Sequence, residues 1–276
     1  MFAALGIEVT LVEGRDVLLG FMDTEISETL TEHMEVMGIK IVKPDATESV
    51  TADDKIEVRL KSGMQLTVDS LLAATGRGGN TDGLGLDRLD VEVNKRGQIL
   101  VNENYQTAVP HIYAAGDVIG FPALASTSME PARLAMVHAF DLKYKEGLAH
   151  ILPYGIYTIP GCSMAGETEE SLTARQIPFI AGRAKYNANA RGQLIGDADG
   201  FLELLFHAQS RKLLGVHVIG EQASELVHTG LTAMMMGATT DLFIQTCFNY
   251  PTLTEMYKYA TYDALGKLTK GEDLQA

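Results

Sequence analysis

The chain has 276 residues, enough for two domains, and its 46% hydrophobic and 21% charged residues are typical of a folded globular protein. Its formal net charge of −14 argues against a nucleic-acid partner, because binding to phosphates requires clustered lysine and arginine. No apolar run reaches the ~18 residues that a membrane span needs. The N-terminus also lacks the basic flank of a signal peptide, so we expect a cytoplasmic protein with no membrane partner.

The cysteines and histidines give no sign of a metal or redox centre. Cys162 and Cys247 are far apart, and no CxxC pair occurs. None of the seven histidines has the spacing of a metal ligand. The sequence therefore predicts no metal site.

The first 79 residues predict a β-α-β unit followed by a hairpin and a return strand. Asp23 or Thr24 is expected to cap the helix, and Ser62-Gly63 to turn the hairpin. In order, the predicted elements are a buried strand at 7–13, an amphipathic helix at 23–37, a strand at 39–42, hairpin strands at 56–61 and 64–68, and a buried strand at 70–75.

The first residues read as the last turn of a helix that stops at Gly6. A domain rarely opens in this way, so we expect the first strand of the α/β unit and its glycine loop to lie upstream of Met1. No GxGxxG sequence, the usual phosphate-binding loop of such units, occurs anywhere in the chain.

The remaining residues predict two further domains. Residues 80–152 contain a strand at 112–115 and a long helix at 123–144. After the composition changes near Leu152-Pro153, a strand and a helix precede hairpin strands at 201–207 and 213–219, and helices follow at 223–236 and 253–267. We therefore predict an α/β and α+β protein divided at about residues 79 and 152.

Residues 107–117, Thr-Ala-Val-Pro-His-Ile-Tyr-Ala-Ala-Gly-Asp, give the clearest functional signal. A strand of small and apolar residues ends at Gly116, where another molecule can approach the backbone. Asp117 then stands at the carboxyl end of the strand, where α/β sheets bind their ligands. Its carboxylate is suited to accept hydrogen bonds from sugar hydroxyls, although a Gly-Asp pair alone is more often an ordinary turn.

This stretch resembles the second FAD-binding motif of the flavoprotein disulfide reductase superfamily, which includes lipoamide dehydrogenases, glutathione reductases and soluble transhydrogenases. The resemblance implies that Asp117 binds the ribityl chain of FAD. It also implies that the helix beginning at Leu124, Ala125 and Ser126 directs its N-terminus at the pyrimidine edge of the flavin, where a helix terminus stabilises negative charge.

The same resemblance suggests a site for a nicotinamide dinucleotide. Glu13 follows a strand at the place where a Rossmann unit binds the adenosine ribose, and Arg15 is placed to meet a 2′-phosphate, so NAD and NADP are both expected. Gly76 and Arg77 resemble the Gly-Arg pair that lies along the dinucleotide. Glu13 as a solvated charge and Arg77 as a surface residue remain open alternatives.

Residues 248–255, Phe-Asn-Tyr-Pro-Thr-Leu-Thr-Glu, indicate the subfamily. Disulfide reductases carry His-Pro-Thr here, whereas this chain has Tyr250, and a phenol is a poor base for thiols at neutral pH. Asn-Tyr-Pro-Thr resembles soluble transhydrogenases instead. Glu255 is expected mainly to form a capping box with Thr252. Residues 153–276 resemble the domain through which these enzymes form homodimers.

The resemblance implies FAD-dependent hydride transfer between NADPH and NAD, in a chain that covers about the last three-fifths of such an enzyme. Two alternatives remain. The first alternative is a non-catalytic fragment or dimerisation module, which the absence of both glycine motifs favours. The second alternative is a disulfide oxidoreductase like lipoamide dehydrogenase, and Tyr250 argues against it.

Overall fold

The computed structural model describes residues 1–120, 124–145 and 147–270. The chain forms two compact units, one made of Met1–Leu71 with Ile151–Ala276 and the other of Leu72–His150. The described chain contains both helices and β-sheets. The predicted α/β and α+β fold class is therefore confirmed. None of the described helices is both long and apolar enough to cross a membrane.

The N-terminal segment begins with a short 3-10 helix, Ala3–Leu5, which ends at Gly6 in the left-handed conformation (φ 81°). Strand β1 (Thr10–Val12), helix α1 (Thr24–Val36) and strand β2 (Lys40–Val42) follow, and β1 and β2 pair in parallel. The Asp23 carboxylate caps α1 by accepting a hydrogen bond from the Glu25 amide at 3.1 Å. The predicted β-α-β arrangement is therefore confirmed.

Three strands then form an antiparallel sheet: β3 (Thr47–Ala52), β4 (Ile56–Leu60) and β5 (Gln65–Val68). The predicted hairpin corresponds to β4 and β5, whereas β3 was not predicted because all its residues are exposed and show no alternation. The strand predicted at 70–75 is wrong. Leu72 is 75% exposed, since no described strand pairs with this apolar run to bury it.

The unit Leu72–His150 consists mainly of loops around a small apolar core and one helix, α2 (Ala125–Ala139). Val91, Ile99 and Ala114 are the buried residues of this core. The strand predicted at 112–115 is not formed, and Tyr113 makes only an isolated bridge with Gln106. The predicted helix at 123–144 is shorter, and its first residue, 123, lies outside the described residues.

The C-terminal segment contains a five-stranded antiparallel sheet in the order β6-β7-β10-β9-β8. Its predicted hairpin, β9 and β10, is confirmed with the predicted bounds. The elements are β6 (Tyr154–Ile156), β7 (Cys162–Gly166), α3 (Glu169–Ala174), β8 (Phe179–Lys185), α4 (Ala190–Ile195), β9 (Phe201–His207), β10 (Leu213–Ile219), α5 (Ala223–Met235), α6 (Thr240–Gln245) and α7 (Met256–Lys270).

Helices α5, α6 and α7 share a continuous apolar core with the sheet, and many of its residues are fully buried, among them Leu204, Phe206 and Tyr257. Gly182 allows α7 to lie against β8, because a Cβ atom there would stand 2.0 Å from the Ala260 carbonyl oxygen. The C-terminal segment thus buries its apolar side chains extensively on folding.

Helix α1 also packs against this sheet, within the same compact unit. Its apolar face and the residue before its cap, namely Met22, Ile26 and Leu30, form a second buried cluster with Cys162, Met164, Phe201 and Ile219. The polar side chains at the start of α1 are consequently brought against β9 and β10. No sequence pattern indicated this contact.

Candidate functional site

Asp117 lies in a short 3-10 helix, Asp117–Ile119, directly after Gly116. Gly116 has φ 88°, a conformation that favours glycine, so this residue sets the direction in which the loop leaves the core. The loop is held to the core by a hydrogen bond from the Ile99 amide to the Val118 carbonyl at 2.9 Å. Asp117 is therefore fixed at its backbone while its side chain remains 45% exposed.

Two side chains contact the Asp117 carboxylate. The Arg77 guanidinium Nη1 donates to Oδ2 at 3.0 Å, and the Ser128 hydroxyl donates to Oδ1 at 3.2 Å. The structure therefore brings together Arg77 and Asp117, two of the predicted site residues that are far apart in the sequence. Ser128 was missed, although its position one turn into a helix that follows Asp117 was a usable signal.

The N-terminus of α2 lies beside this carboxylate, as the Ser128 contact shows. Leu124 and Ala125 stand at the helix start, and the first turn contains no acidic residue, so the positive end of the helix dipole favours an anionic group nearby. Ser126 belongs to the helix, but its side chain lies outside the described residues.

The space next to both predicted glycines is open. Gly76 (φ 113°) and Gly116 both have positive φ, and a Cβ atom built on either would meet no atom of the described residues within 4 Å apart from its chain neighbours. Nearby, the Gly79 amide donates to the Arg96 carbonyl at 2.8 Å, which fastens the loop after Arg77. The backbone at Gly76 and Gly116 is thus accessible to another molecule.

Glu13 and Arg15 form a separate ion pair in the unit Met1–Leu71 with Ile151–Ala276. Glu13 follows the carboxyl end of β1, and its two oxygens accept from Arg15 Nε at 2.9 Å and Nη2 at 3.1 Å. This hydrogen bonding lowers the pKa of the Glu13 carboxyl. Glu13 thus stands at the end of a strand, as predicted, and its side chain is paired with that of Arg15.

The C-terminal motif shows an exposed phenol and no capping box. Tyr250 is 73% exposed. The Thr252 hydroxyl donates to the Asn249 carbonyl at 2.7 Å, and α7 begins at Met256, so the capping box expected from Thr252 and Glu255 is not found among the described hydrogen bonds. Glu255 therefore has no such helix-capping role.

The groups around Asp117 form a donor and acceptor set that fits a polyhydroxylated, anionic cofactor. Each Asp117 oxygen accepts one hydrogen bond from the side chains that the structure describes, which leaves further lone pairs for sugar hydroxyls. The amide groups at the start of α2 and the Arg77 guanidinium supply positive charge. Open glycine backbone completes a surface to which FAD, with its ribityl chain and acidic ring edge, is chemically suited.

Comparison with known proteins identifies two matched regions. Residues 1–138 match the family described as pyridine nucleotide-disulphide oxidoreductase, and residues 152–261 match its dimerisation domain. Soluble pyridine nucleotide transhydrogenases of Salmonella paratyphi B and Salmonella typhi are 42% identical over 97% of this chain. The chain spans 58% of the length of these relatives.

Solved structures show the same fold. The flavoprotein disulfide reductase RclA from Escherichia coli superposes with a TM-score of 0.87 at 23% identity, covering 93% of this chain and 59% of RclA. LpdA from Mycobacterium tuberculosis superposes with a TM-score of 0.86 at 25% identity, covering 95% of this chain and 57% of LpdA. The chain belongs to the pyridine nucleotide-disulphide oxidoreductase family.

Proposed function

We propose that this chain is part of an FAD-dependent oxidoreductase that transfers hydride between NADPH and NAD. The observation that carries the proposal is the Asp117 carboxylate, held between Arg77 and Ser128 at the start of α2. The similarity to soluble pyridine nucleotide transhydrogenases supports the choice of reaction. The family match supports the more general assignment as an oxidoreductase that uses a nicotinamide dinucleotide.

In this proposal Asp117 accepts hydrogen bonds from the ribityl hydroxyls of FAD. Arg77, 84% exposed, can turn away from Asp117 toward a phosphate or a nicotinamide dinucleotide, because its side chain is not packed. The residues Leu124, Ala125 and Ser126 present the helix N-terminus to the flavin ring, where it stabilises negative charge. When bound, FAD supplies the hydride-transfer chemistry, so no side chain of this chain acts as a nucleophile.

Glu13 and Arg15 would bind the nicotinamide dinucleotide. In this proposal the Glu13 carboxylate accepts a hydrogen bond from the ribose hydroxyl of NAD. When NADP binds, the Arg15 guanidinium leaves Glu13 and pairs with the 2′-phosphate. Their mutual ion pair supports this exchange, since one guanidinium can move between a carboxylate and a phosphate. Gly76 lies along the dinucleotide, where its open backbone admits close approach.

The match of residues 152–261 to a dimerisation domain supports a homodimer formed through residues 153–276. We also propose a cytoplasmic location. Cys162 and Cys247 are free thiols, which fits a reducing compartment.

A second candidate is a non-catalytic dimerisation module. It is favoured by the exposed apolar run at Leu71 and Leu72, and by the absence of a GxGxxG sequence from the 276 residues. A disulfide oxidoreductase like lipoamide dehydrogenase is the third candidate. Tyr250 argues against it, because no imidazole stands at that position to deprotonate a thiol.

The visible absorption spectrum of the purified chain separates these candidates. After incubation with FAD and removal of the excess, we expect about one bound flavin per chain and oxidation of NADPH with NAD as acceptor. A dimer that stays colourless after incubation would overturn the enzymatic proposal for this chain and favour the dimerisation module. Bound flavin that reduces lipoamide, but not NAD, would favour the disulfide oxidoreductase.

A further inference from the structure

Three titratable side chains are buried together where α1 meets the five-stranded sheet. Asp23 at the cap of α1 is 2% exposed, and Glu203 on β9 and His217 on β10 are both 0% exposed. Glu203 and His217 are directly opposite each other in the β9–β10 register. One ligand-type atom from each of the three residues lies within 4.8 Å of the other two.

The negative charge of the carboxylates around this cluster is larger than the positive charge of the guanidinium that pairs with them. Arg183 pairs with Glu203 at 2.6 Å, but the same guanidinium also pairs with Glu25 at 2.5 Å and Glu169 at 2.7 Å. Beyond this ion pair, neither Glu203 oxygen makes a hydrogen bond of good geometry with the described residues, although both oxygens are buried. A buried carboxylate without hydrogen bonds is costly unless it is neutralised by a proton or binds a cation.

His217, a member of the same cluster, carries an unshared lone pair on a buried ring nitrogen. Its Nε2 lies 2.8 Å from the Glu167 carbonyl oxygen, which can only accept, so Nε2 carries the proton and donates. The other ring nitrogen, Nδ1, is buried and has no hydrogen-bonding partner in the part of the chain that the structure describes. Metal-binding histidines are commonly oriented in this way, with one ring nitrogen donating to a carbonyl and the other facing the ion.

Asp23 is held in place by backbone amides. Its Oδ1 accepts from the Glu25 amide and its Oδ2 from the Glu169 amide, both at 3.1 Å. Each oxygen retains a further lone pair. The carboxylate is therefore oriented by two helix starts and still able to bind an ion.

We propose that Asp23, Glu203 and His217 bind one divalent transition-metal cation of the Zn²⁺ type. One imidazole nitrogen with two carboxylate oxygens suits such ions, whereas Mg²⁺ and Ca²⁺ prefer oxygen ligands alone. A dication balances the two carboxylates that Arg183 does not neutralise alone. Tetrahedral zinc ligands stand about 3.4 Å apart, and the three ligand atoms lie within 4.8 Å of one another, so the side chains need to close by at most about 1.4 Å around the ion.

Zinc binding to the complete 276-residue chain tests this site. The chain is treated with a chelator, dialysed and titrated with ZnCl₂, while bound zinc and the melting temperature Tm are measured. We expect one zinc per chain and a rise in Tm, because an ion that binds only the folded state stabilises it. Glu203→Gln and His217→Gln should each weaken binding by at least about 100-fold.

His33→Gln is the matched control, because His33 is a partly exposed histidine whose nearest acidic neighbour is Asp199 at 3.8 Å. It should bind zinc as the wild type does. Absence of zinc binding by the wild type would overturn the proposal, as would unchanged affinity in a Glu203→Gln variant that is folded by circular dichroism.

Zinc K-edge X-ray absorption on the wild type gives a test that needs no variant. Nitrogen and oxygen ligands alone are expected, whereas a sulfur ligand would assign the zinc to a cysteine and overturn the proposal. None of these measurements involves flavin, so the metal site and the proposed hydride transfer can fail separately.

Discussion

The five-stranded sheet of the C-terminal segment and the loops around Asp117 are stabilised in different ways. The sheet places Leu202, Leu204, Leu205 and Phe206 in succession at 0% exposure and is covered by helices. The loops of Leu72–His150 surround a much smaller apolar cluster, in which three of the described residues are buried. One region is a large core, and the other is a scaffold for exposed polar groups.

This difference separates stability from function in the chain. The proposed cofactor contacts of Arg77 and Asp117 lie on half-exposed or exposed side chains, where substitution has little effect on folding. The buried residues of the sheet contribute to the free energy of unfolding instead. Changes in the two regions should therefore have distinct and measurable consequences.

The largest expected effect comes from the same substitution made in the two regions. Leu204→Ala should lower the free energy of unfolding by about 3 kcal/mol, because it leaves a cavity in a packed core. Leu72→Ala should lower it by less than about 0.5 kcal/mol, because Leu72 is 75% exposed. Denaturant unfolding of both variants measures this, and equal losses would contradict the exposure of residues 70–75.

Arg15→Ala tests whether the polar ion pair has a binding role. Loss of a charged hydrogen-bonding partner of the 2′-phosphate should weaken NADP binding by about tenfold and leave NAD binding nearly unchanged. Calorimetric titration with both nucleotides measures the two affinities. Arg96→Ala serves as a control, and an equal loss for NADP and NAD would contradict the assignment of Arg15.

A smaller effect is expected from Glu203, the buried acid on β9, whose protonation makes the stability of the chain depend on pH when a chelator keeps metal ions away. Burial, and then the nearby Asp23 carboxylate, raise the pKa of Glu203 from 4.5 to about 9. The folded state thus binds this proton more tightly than the unfolded state. The resulting stability is present below pH 4.5 and is lost as the pH rises to about 9.

Glu203→Gln removes this dependence. Arg183 retains Glu25 and Glu169 as partners, so the variant should be more stable than the wild type near pH 8, and this difference should nearly vanish near pH 5. Thermal unfolding at both pH values measures the difference. Glu57→Gln, at an exposed position of β4, is the control, and a Glu203→Gln variant less stable near pH 8 would refute the expectation.

Sequence patterns predicted the elements that local physics determines. Alternating apolar residues and a polar turn placed β9 and β10 at their observed bounds, and Asp23 was recognised as a possible helix cap. The strands predicted at 70–75 and 112–115 failed for a shared reason. An apolar run becomes a strand only when another strand pairs with it, and that partner cannot be read from the run itself.

Site residues could be predicted from the sequence only where they belong to a sequence motif. Asp117 and Arg77 came from such motifs, but their contact with each other and with Ser128 joins distant positions. The cluster of Asp23, Glu203 and His217 was missed, because its three residues do not have ligand spacing along the sequence. Ligand spacing detects sites within one element, whereas this cluster forms by packing a helix on a sheet.

The affinity of the chain for FAD, compared between Asp117→Asn and Asp87→Asn, tests the central claim most directly. Both substitutions remove one charge from an aspartate of the same unit, but only Asp117 contacts Arg77 and Ser128. We predict that Asp117→Asn weakens FAD binding by at least about tenfold and that Asp87→Asn leaves it unchanged. Equal FAD affinities in the two variants, or no FAD binding by the wild-type chain, would contradict the account.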